Sequence, residues 1–184
     1  SPFTGWRFNT LLATTHIPLK EVPKKLNKNL INSKLDLLYN FCNKFKKKPT
    51  LHVAGLNPHA GEEGILGTEE VDFINEAIHY WRIKNPLVNL IKISSPDSCW
   101  ISSAKAWRGN NTNPPDGILA LYHDQGLIPV KIITLNYSVN TTIGLPIVRT
   151  SPDHGTGFDI AAKGIAQCQS MIEAIKTATD LLNN

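Results

Sequence analysis

The chain has 184 residues, 41% of them hydrophobic and 18% charged, with a net charge of +4. That composition supports a packed core and excludes a disordered chain, and no run of about 18 apolar residues marks a transmembrane helix. Three distant cysteines, Cys42, Cys99 and Cys168, make no C-x-x-C pair or disulfide framework, which points to a reducing, cytoplasmic setting. The lysine-rich patches Lys20 to Lys28 and Lys44 to Lys48 read as solvated helix faces and flanks rather than a nucleic-acid surface, because no aromatic residues are spaced along them for base stacking. The N-terminus lacks both the order of a signal peptide and an initiator methionine, so the chain is expected to begin inside a longer protein.

In chain order, Leu11 to Thr15 reads as a strand, and Pro18 and Pro23 then break regular structure. Ser33 to Asp36 resembles a capping box and opens a helix to about Lys47 on Leu35, Leu38, Cys42 and Phe45. Leu51 to Ala54 is the next strand. Thr68 caps a helix whose buried stripe is Val71, Ile74, Ile78 and Trp81. Val88 to Ile93 reads as a strand, and a short helix from Asp97 or Ser98 reaches Trp107. After the breaker GNNTNPPDG come strands at Ile118 to Tyr122 and Val130 to Leu135, and an extended region from Val139 to Val148 that Pro146 interrupts. Ser170 to Glu173 forms a full capping box for a last helix on Met171, Ala174, Ile175, Ala178 and Leu182. Alternating strands and helices argue for an α/β/α layered sheet with a parallel section and an antiparallel edge. No internal repeat and no domain linker stands out.

Two histidines fall where open α/β sheets bind ligands, beyond the carboxyl ends of strands. His59 lies in GLNPHAGEEG after the Leu51 strand, and His123 directly follows the Ile118 strand. Imidazole is a common metal ligand, and two leave room for water or substrate on the ion. A loop residue with a satisfied hydrogen bond is the competing reading of each. Asp124 is placed to ligate or to orient His123. Gly55, Gly61, Gly64 and Gly67 permit close backbone approach to a ligand but do not make a G-x-G-x-x-G fingerprint. His16, His52 and His79 read as structural. The segment RTSPDHGTGFDIAAKGIA packs glycines, a histidine, aspartates and a lysine ahead of a helix, as a nucleotide-wrapping loop does, although a plain helix start uses the same residues.

Taken together, ATTHIPLKEV, LNPHAGEEG, GTEE, YHDQGLIPVK, VNTTIGLPIVRTS and DHGTGFDIAAKG strongly resemble the 4-hydroxythreonine-4-phosphate dehydrogenase family of pyridoxal phosphate biosynthesis. The last of these loops is also similar to the cofactor loop of isocitrate and isopropylmalate dehydrogenases. The resemblance implies a fold of the isocitrate/isopropylmalate dehydrogenase-like type, a layered α/β/α sheet. Residues 1–184 are then an incomplete piece, about the C-terminal half of a two-domain enzyme, with no internal boundary evident. It implies NAD-dependent oxidation and decarboxylation of 4-phosphooxy-L-threonine to 3-amino-2-oxopropyl phosphate, assisted by a divalent metal (Zn, Mg or Co).

The family holds its metal with three histidines. His59 and His123 match two of them, and the first is expected upstream of Ser1. His123 is expected from the partner subunit of a homodimer that shares its active site. Lys131, Asn140 and Arg149 match the substrate contacts, with His123 and Lys131 as the catalytic pair. His154, Gly155, Thr156 and Asp159 are expected against the adenosine half of NAD. Asp159 favours NAD over NADP, since an acid suits free ribose hydroxyls, though NADP remains possible. Neither nucleic acid nor membrane is an expected partner. The alternatives are a related metal-dependent dehydrogenase acting on another hydroxy or dihydrodiol acid, and an inactive metal- or phosphate-binding fragment. Even on the first reading the isolated chain is expected to turn over little.

Overall fold

The computed structural model describes residues 1–90, 93–110 and 112–183. They form two compact units, Ser1–Pro129 and Val130–Asn184, and the division falls within one helix.

The first unit contains β1 (Thr10–Leu12), α1 (Val22–Lys25), α2 (Lys28–Asn43), β2 (Thr50–Val53), α3 (Asn75–Lys84), β3 (Asn89–Leu90), α4 (Ile101–Trp107), β4 (Gly117–Ala120) and the first turns of α5 (His123–Thr134). Its sheet has the order β1-β4-β2-β3, and every pairing is parallel. Side chains alternate across a strand, and β1, β2 and β4 therefore feed two cores. Leu51, Val53, Leu119 and Leu121 join Ile31, Leu35 and Leu38 of α2 and Ile78 and Trp81 of α3. Ala54, Ile118 and Ala120 join Cys99 and Trp100 on the other side. Three layers result, as the alternating pattern predicts. Burial pushes the Cys42 and Cys99 thiols up to about 12, so neither is a ready nucleophile.

Two sequence expectations change in this unit, and a third is described only in part. Helix α2 begins at Lys28, not near Ser33, because the Asn27 side chain caps it by accepting from the Leu30 amide at 2.9 Å. Ser33 lies inside the helix and donates to the Leu30 carbonyl. Ahead of α3, Glu70–Ile74 is a π-turn that changes which residues face inward. Val71 is thus 56% exposed, and Glu70, at 1%, takes its place in the interior. The expected strand over Val88 to Ile93 is described only as Asn89–Leu90, and its positions 91 and 92 lie outside the described residues.

The apolar run Val130 to Leu135 is not a strand. Val130 to Thr134 continue α5, and Leu135 starts a short 3-10 turn. A short apolar run is ambiguous by periodicity alone. In the first unit α5 lies so close to the sheet that a Cβ on Gly126 would sit 2.5 Å from Leu12 Cδ2 and 3.0 Å from Ala120 Cβ.

The second unit pairs β5 (Val139–Thr142) antiparallel with β6 (Arg149–Pro152) and adds α6 (Gln169–Asn183). The antiparallel strands are thus a separate hairpin, not an edge of the parallel sheet. The expected capping box on Ser170 does not form. That hydroxyl donates to the Ser138 carbonyl and accepts from the Asp153 amide. Burial on α6 falls on Ser170, Ala174 and Leu181, while Met171, Ile175 and Leu182 are exposed.

Replacing Gly126 by valine should lower the unfolding free energy by about 1–3 kcal/mol, the usual cost of overfilling a tight contact. Urea denaturation of Gly126→Val measures it, and an unchanged midpoint would contradict the close crossing of α5 over β1 and β4.

Candidate active site

Parallel strands end on the same side, so β1, β4 and β2 release their chains at one edge of the first unit. Each exit leads to a histidine. From β1 the chain passes through buried Ala13 and Thr14 to His16, whose φ of 25° is in the left-handed region. From β2 it passes to His59, and from β4 to His123, the first residue of α5.

The rings of His16 and His123 face each other with centroids 5.3 Å apart. His16, expected to be structural, stands beside His123, a pairing that the sequence reading did not anticipate. Two signals marked it, its place after a strand at the same edge and the ATTHIPLKEV match around it. His123 Nδ1 lies 2.7 Å from Asp124 Oδ1, an arrangement that fixes ring orientation and leaves Nε2 available to a cation.

His59 sits in an unusual turn. Its φ is 52°, and Ala60, Gly61, Glu62 and Glu63 follow at 53°, 82°, 41° and 56°. For residues other than glycine, each left-handed position costs roughly 1–2 kcal/mol, so surrounding structure must hold the turn. His59 Nδ1 lies 2.8 Å from Glu62 Oε1. That hydrogen bond raises the imidazole pKa above its ordinary value; the Glu62 charge adds to it, and Asp97 contributes less.

Gln125 joins two of these exits. Its side chain is buried; Oε1 accepts from the Leu121 amide at 2.7 Å and Nε2 donates to the Gly55 carbonyl at 2.6 Å. The end of β4 is thereby tied to the end of β2. The other two histidines expected to be structural make local contacts. His52 is buried in β2, its Nε2 shares a hydrogen bond with Ser94 Oγ, and burial lowers its pKa; His79 stacks edge-on with Tyr80.

The donor chemistry of His16 and His123 suits a divalent cation, as two exposed or half-buried imidazoles facing one another. Among the described residues, however, no three His, Cys, Asp or Glu side chains are grouped closely enough to hold an ion. His59 is therefore not in one three-residue cluster with the other two.

The remaining expected site residues belong to the second unit. Lys131 Nζ is 3.1 Å from Asp153 Oδ2 and 3.2 Å from the Asp153 carbonyl. The Lys131 end of this pair is half exposed, so solvent screens it. Asn140 pairs with Ser151, and Thr142 with Arg149. Directly opposed residues share a face of an antiparallel pair, which puts Asn140 and Arg149 on the same face of the hairpin. The other face carries Thr150, whose hydroxyl donates to the Ala174 carbonyl of α6. Arg149 is exposed and donates through Nη1 to Thr142 Oγ1 at 2.8 Å. His154, Gly155, Thr156 and Asp159 lie in an exposed loop, in which His154 Nδ1 lies 2.9 Å from the Gly155 carbonyl oxygen and Asp159 sits in a 3-10 turn over Phe158–Ile160.

A family model described as pyridoxal phosphate biosynthetic protein PdxA matches residues 3–178. A 4-hydroxythreonine-4-phosphate dehydrogenase of Synechocystis sp. is 54% identical over 185 residues, covering 99% of this chain and 53% of the relative. One of Aquifex aeolicus is 42% identical, covering 96% and 52%. The chain thus spans about half the length of the curated relatives it matches. Among solved structures, the 4-hydroxythreonine-4-phosphate dehydrogenase of Klebsiella pneumoniae superposes with a TM-score of 0.80 at 35% identity, over 95% of this chain and 50% of that one. A terephthalate 1,2-cis-dihydrodiol dehydrogenase of Burkholderia xenovorans superposes at 0.70 and 26% identity, over 94% and 52%. The chain has the isocitrate/isopropylmalate dehydrogenase-like fold of these neighbours, in about half their length.

Because Glu62 favours protonated His59, an NMR titration should place the His59 midpoint above that of an ordinary histidine. Glu62→Gln should bring it down. A His59 midpoint unmoved by that substitution would remove the pairing.

Proposed function

Because the chain belongs to the pyridoxal phosphate biosynthetic protein PdxA family, we propose that it carries the metal and substrate machinery of an NAD-dependent 4-hydroxythreonine-4-phosphate dehydrogenase. The observation that carries this reading is the approach of His16 to His123 at 5.3 Å, at the exits of two neighbouring parallel strands. We assign His16, His59 and His123 as the residues that hold a divalent cation, with His16 in the role that the sequence reading gave to a segment before Ser1. No three-residue cluster forms among the described residues of one chain, and we assign completion of the set to a homodimer that shares its active site.

When bound, the cation supplies Lewis-acid polarisation of the substrate's alcohol oxygen, and the nicotinamide supplies the hydride acceptor. The chain supplies binding and orientation. Asp124 and Glu62 hold the rings of His123 and His59 through Nδ1. Arg149 offers a bidentate fork to a carboxylate or phosphate, and Lys131 a single mobile ammonium, released from Asp153 when an anion takes its place. Asn140 both donates and accepts beside Arg149. Loss of hydride from the secondary alcohol carbon, with the hydroxyl proton, gives a β-keto acid. Its carboxyl group then leaves as carbon dioxide, the α-carbon takes up a proton, and the product is 3-amino-2-oxopropyl phosphate. Asp159, with His154, Gly155 and Thr156, is assigned to the adenosine half of NAD; an acid there repels the extra phosphate of NADP.

Cytoplasmic residence goes with this assignment, and no helix of the described residues is long and apolar enough to cross a membrane. The structural likeness to a dihydrodiol dehydrogenase favours a second reading, in which the same site oxidises a dihydrodiol acid.

The test substitutes His16→Ala and His123→Ala in the intact protein. Each should weaken zinc binding at least tenfold and abolish turnover of 4-phosphooxy-L-threonine, while NAD binding by calorimetry stays intact. Wild-type zinc affinity in His16→Ala would remove it from the ligand set. Turnover of a cis-dihydrodiol acid with none of the phosphorylated amino acid would favour the second reading.

A further inference from the structure

The left-handed turn that carries His59 is held by a group outside the ligand set. Glu70 is 1% exposed, yet it is a carboxylate. Its Oε1 accepts from the backbone amides of Leu56 at 2.7 Å and Asn57 at 2.8 Å. Its Oε2 accepts from Asn57 Nδ2 at 2.8 Å, and the same amide group also donates to Glu69 Oε2 at 2.7 Å. Both backbone amides belong to the chain just after β2, within three residues of His59. On the far side of the histidine the same carboxylate abuts Gly61, where a Cβ would lie 2.9 Å from Oε2. One buried side chain thus touches the turn on both sides of the imidazole. A carboxylate accepting several N–H groups makes short, strong bonds away from water. The π-turn over Glu70–Ile74 brings it inward in place of Val71.

We propose that Glu70 is the positioning residue for His59: its buried carboxylate clamps the exit of β2 and so fixes the turn that presents the imidazole to the divalent cation. The proposal rests on the assignment of His59 as a metal ligand. Loss of Glu70 removes no ligand, yet it frees the turn to leave its left-handed conformation and spreads the imidazole over many positions. Metal affinity then falls as it does when other groups that orient a ligand are removed, by about ten- to a hundredfold.

The test uses the intact, metal-free protein and zinc, with affinity read by competition against a chromophoric chelator. Glu70→Ala should keep the wild-type circular dichroism spectrum, weaken zinc binding about ten- to a hundredfold, and speed amide exchange at Leu56 and Asn57. Glu70→Gln keeps one acceptor oxygen for those two amides but sets an amide group against Asn57 Nδ2. It should fall between wild type and Glu70→Ala in zinc affinity, a graded rescue that a general loss of stability does not produce. If Glu70→Ala does not fold, the comparison of Glu70→Gln with wild type decides, and equal zinc affinity there overturns the proposal. Wild-type affinity in a folded Glu70→Ala overturns it too. His59→Ala separates the two ideas. If it also binds zinc like wild type, the ligand assignment itself fails; if it loses zinc while Glu70→Ala does not, only the positioning role fails.

Discussion

Parallel pairing of β4 with both β1 and β2 makes three successive strand exits share one edge of the sheet. Parallel strands need crossover connections, and here α2, α3 and α4 supply them on the way to β4. The faces of the sheet are filled by apolar side chains, which leaves the carboxyl edge as the place where polar side chains can gather. His16, His59 and His123 are separated by long stretches of sequence, and each follows one of these exits within a few residues.

Edge position alone does not fix a side chain, and the unit spends buried polar groups on that task. Gln125 ties the exit of β4 to that of β2 with two short hydrogen bonds. Glu70 grips the chain after β2 from beneath. Both groups are buried, and a buried donor or acceptor left unmade costs about 1–3 kcal/mol, so each hydrogen bond resists rearrangement. The second unit is built differently. Lys131, Asn140, Arg149 and the loop from His154 to Asp159 are exposed, and their contacts are single ion pairs or hydrogen bonds at the surface. Such groups exchange partners readily, as suits residues assigned to bind and release anions.

Local patterns in the chain were readable where one physical rule acts alone. The apolar stripe of α2 and the alternating residues of β2 and β4 follow from periodicity, and the α/β/α layering follows from them. His59 and His123 stood out because each follows a strand in an open α/β pattern, where ligands bind. Failures came where two rules competed. The run Val130 to Leu135 has strand composition, yet Val130 to Thr134 continue α5, because a short apolar run suits either period. Ser170 has the spacing of a cap, but the Ser138 carbonyl and the Asp153 amide claim its hydroxyl.

The sequence by itself determined the class of fold and the family, because those depend on residue type and on short-range spacing. Only the tertiary structure decided that His16 stands beside His123, since strands distant along the chain become neighbours through the order of the sheet. It also decided that Glu70 rather than Val71 turns inward. A single π-turn rotates the helix face, and neither the residue type nor its spacing announces where such a turn falls.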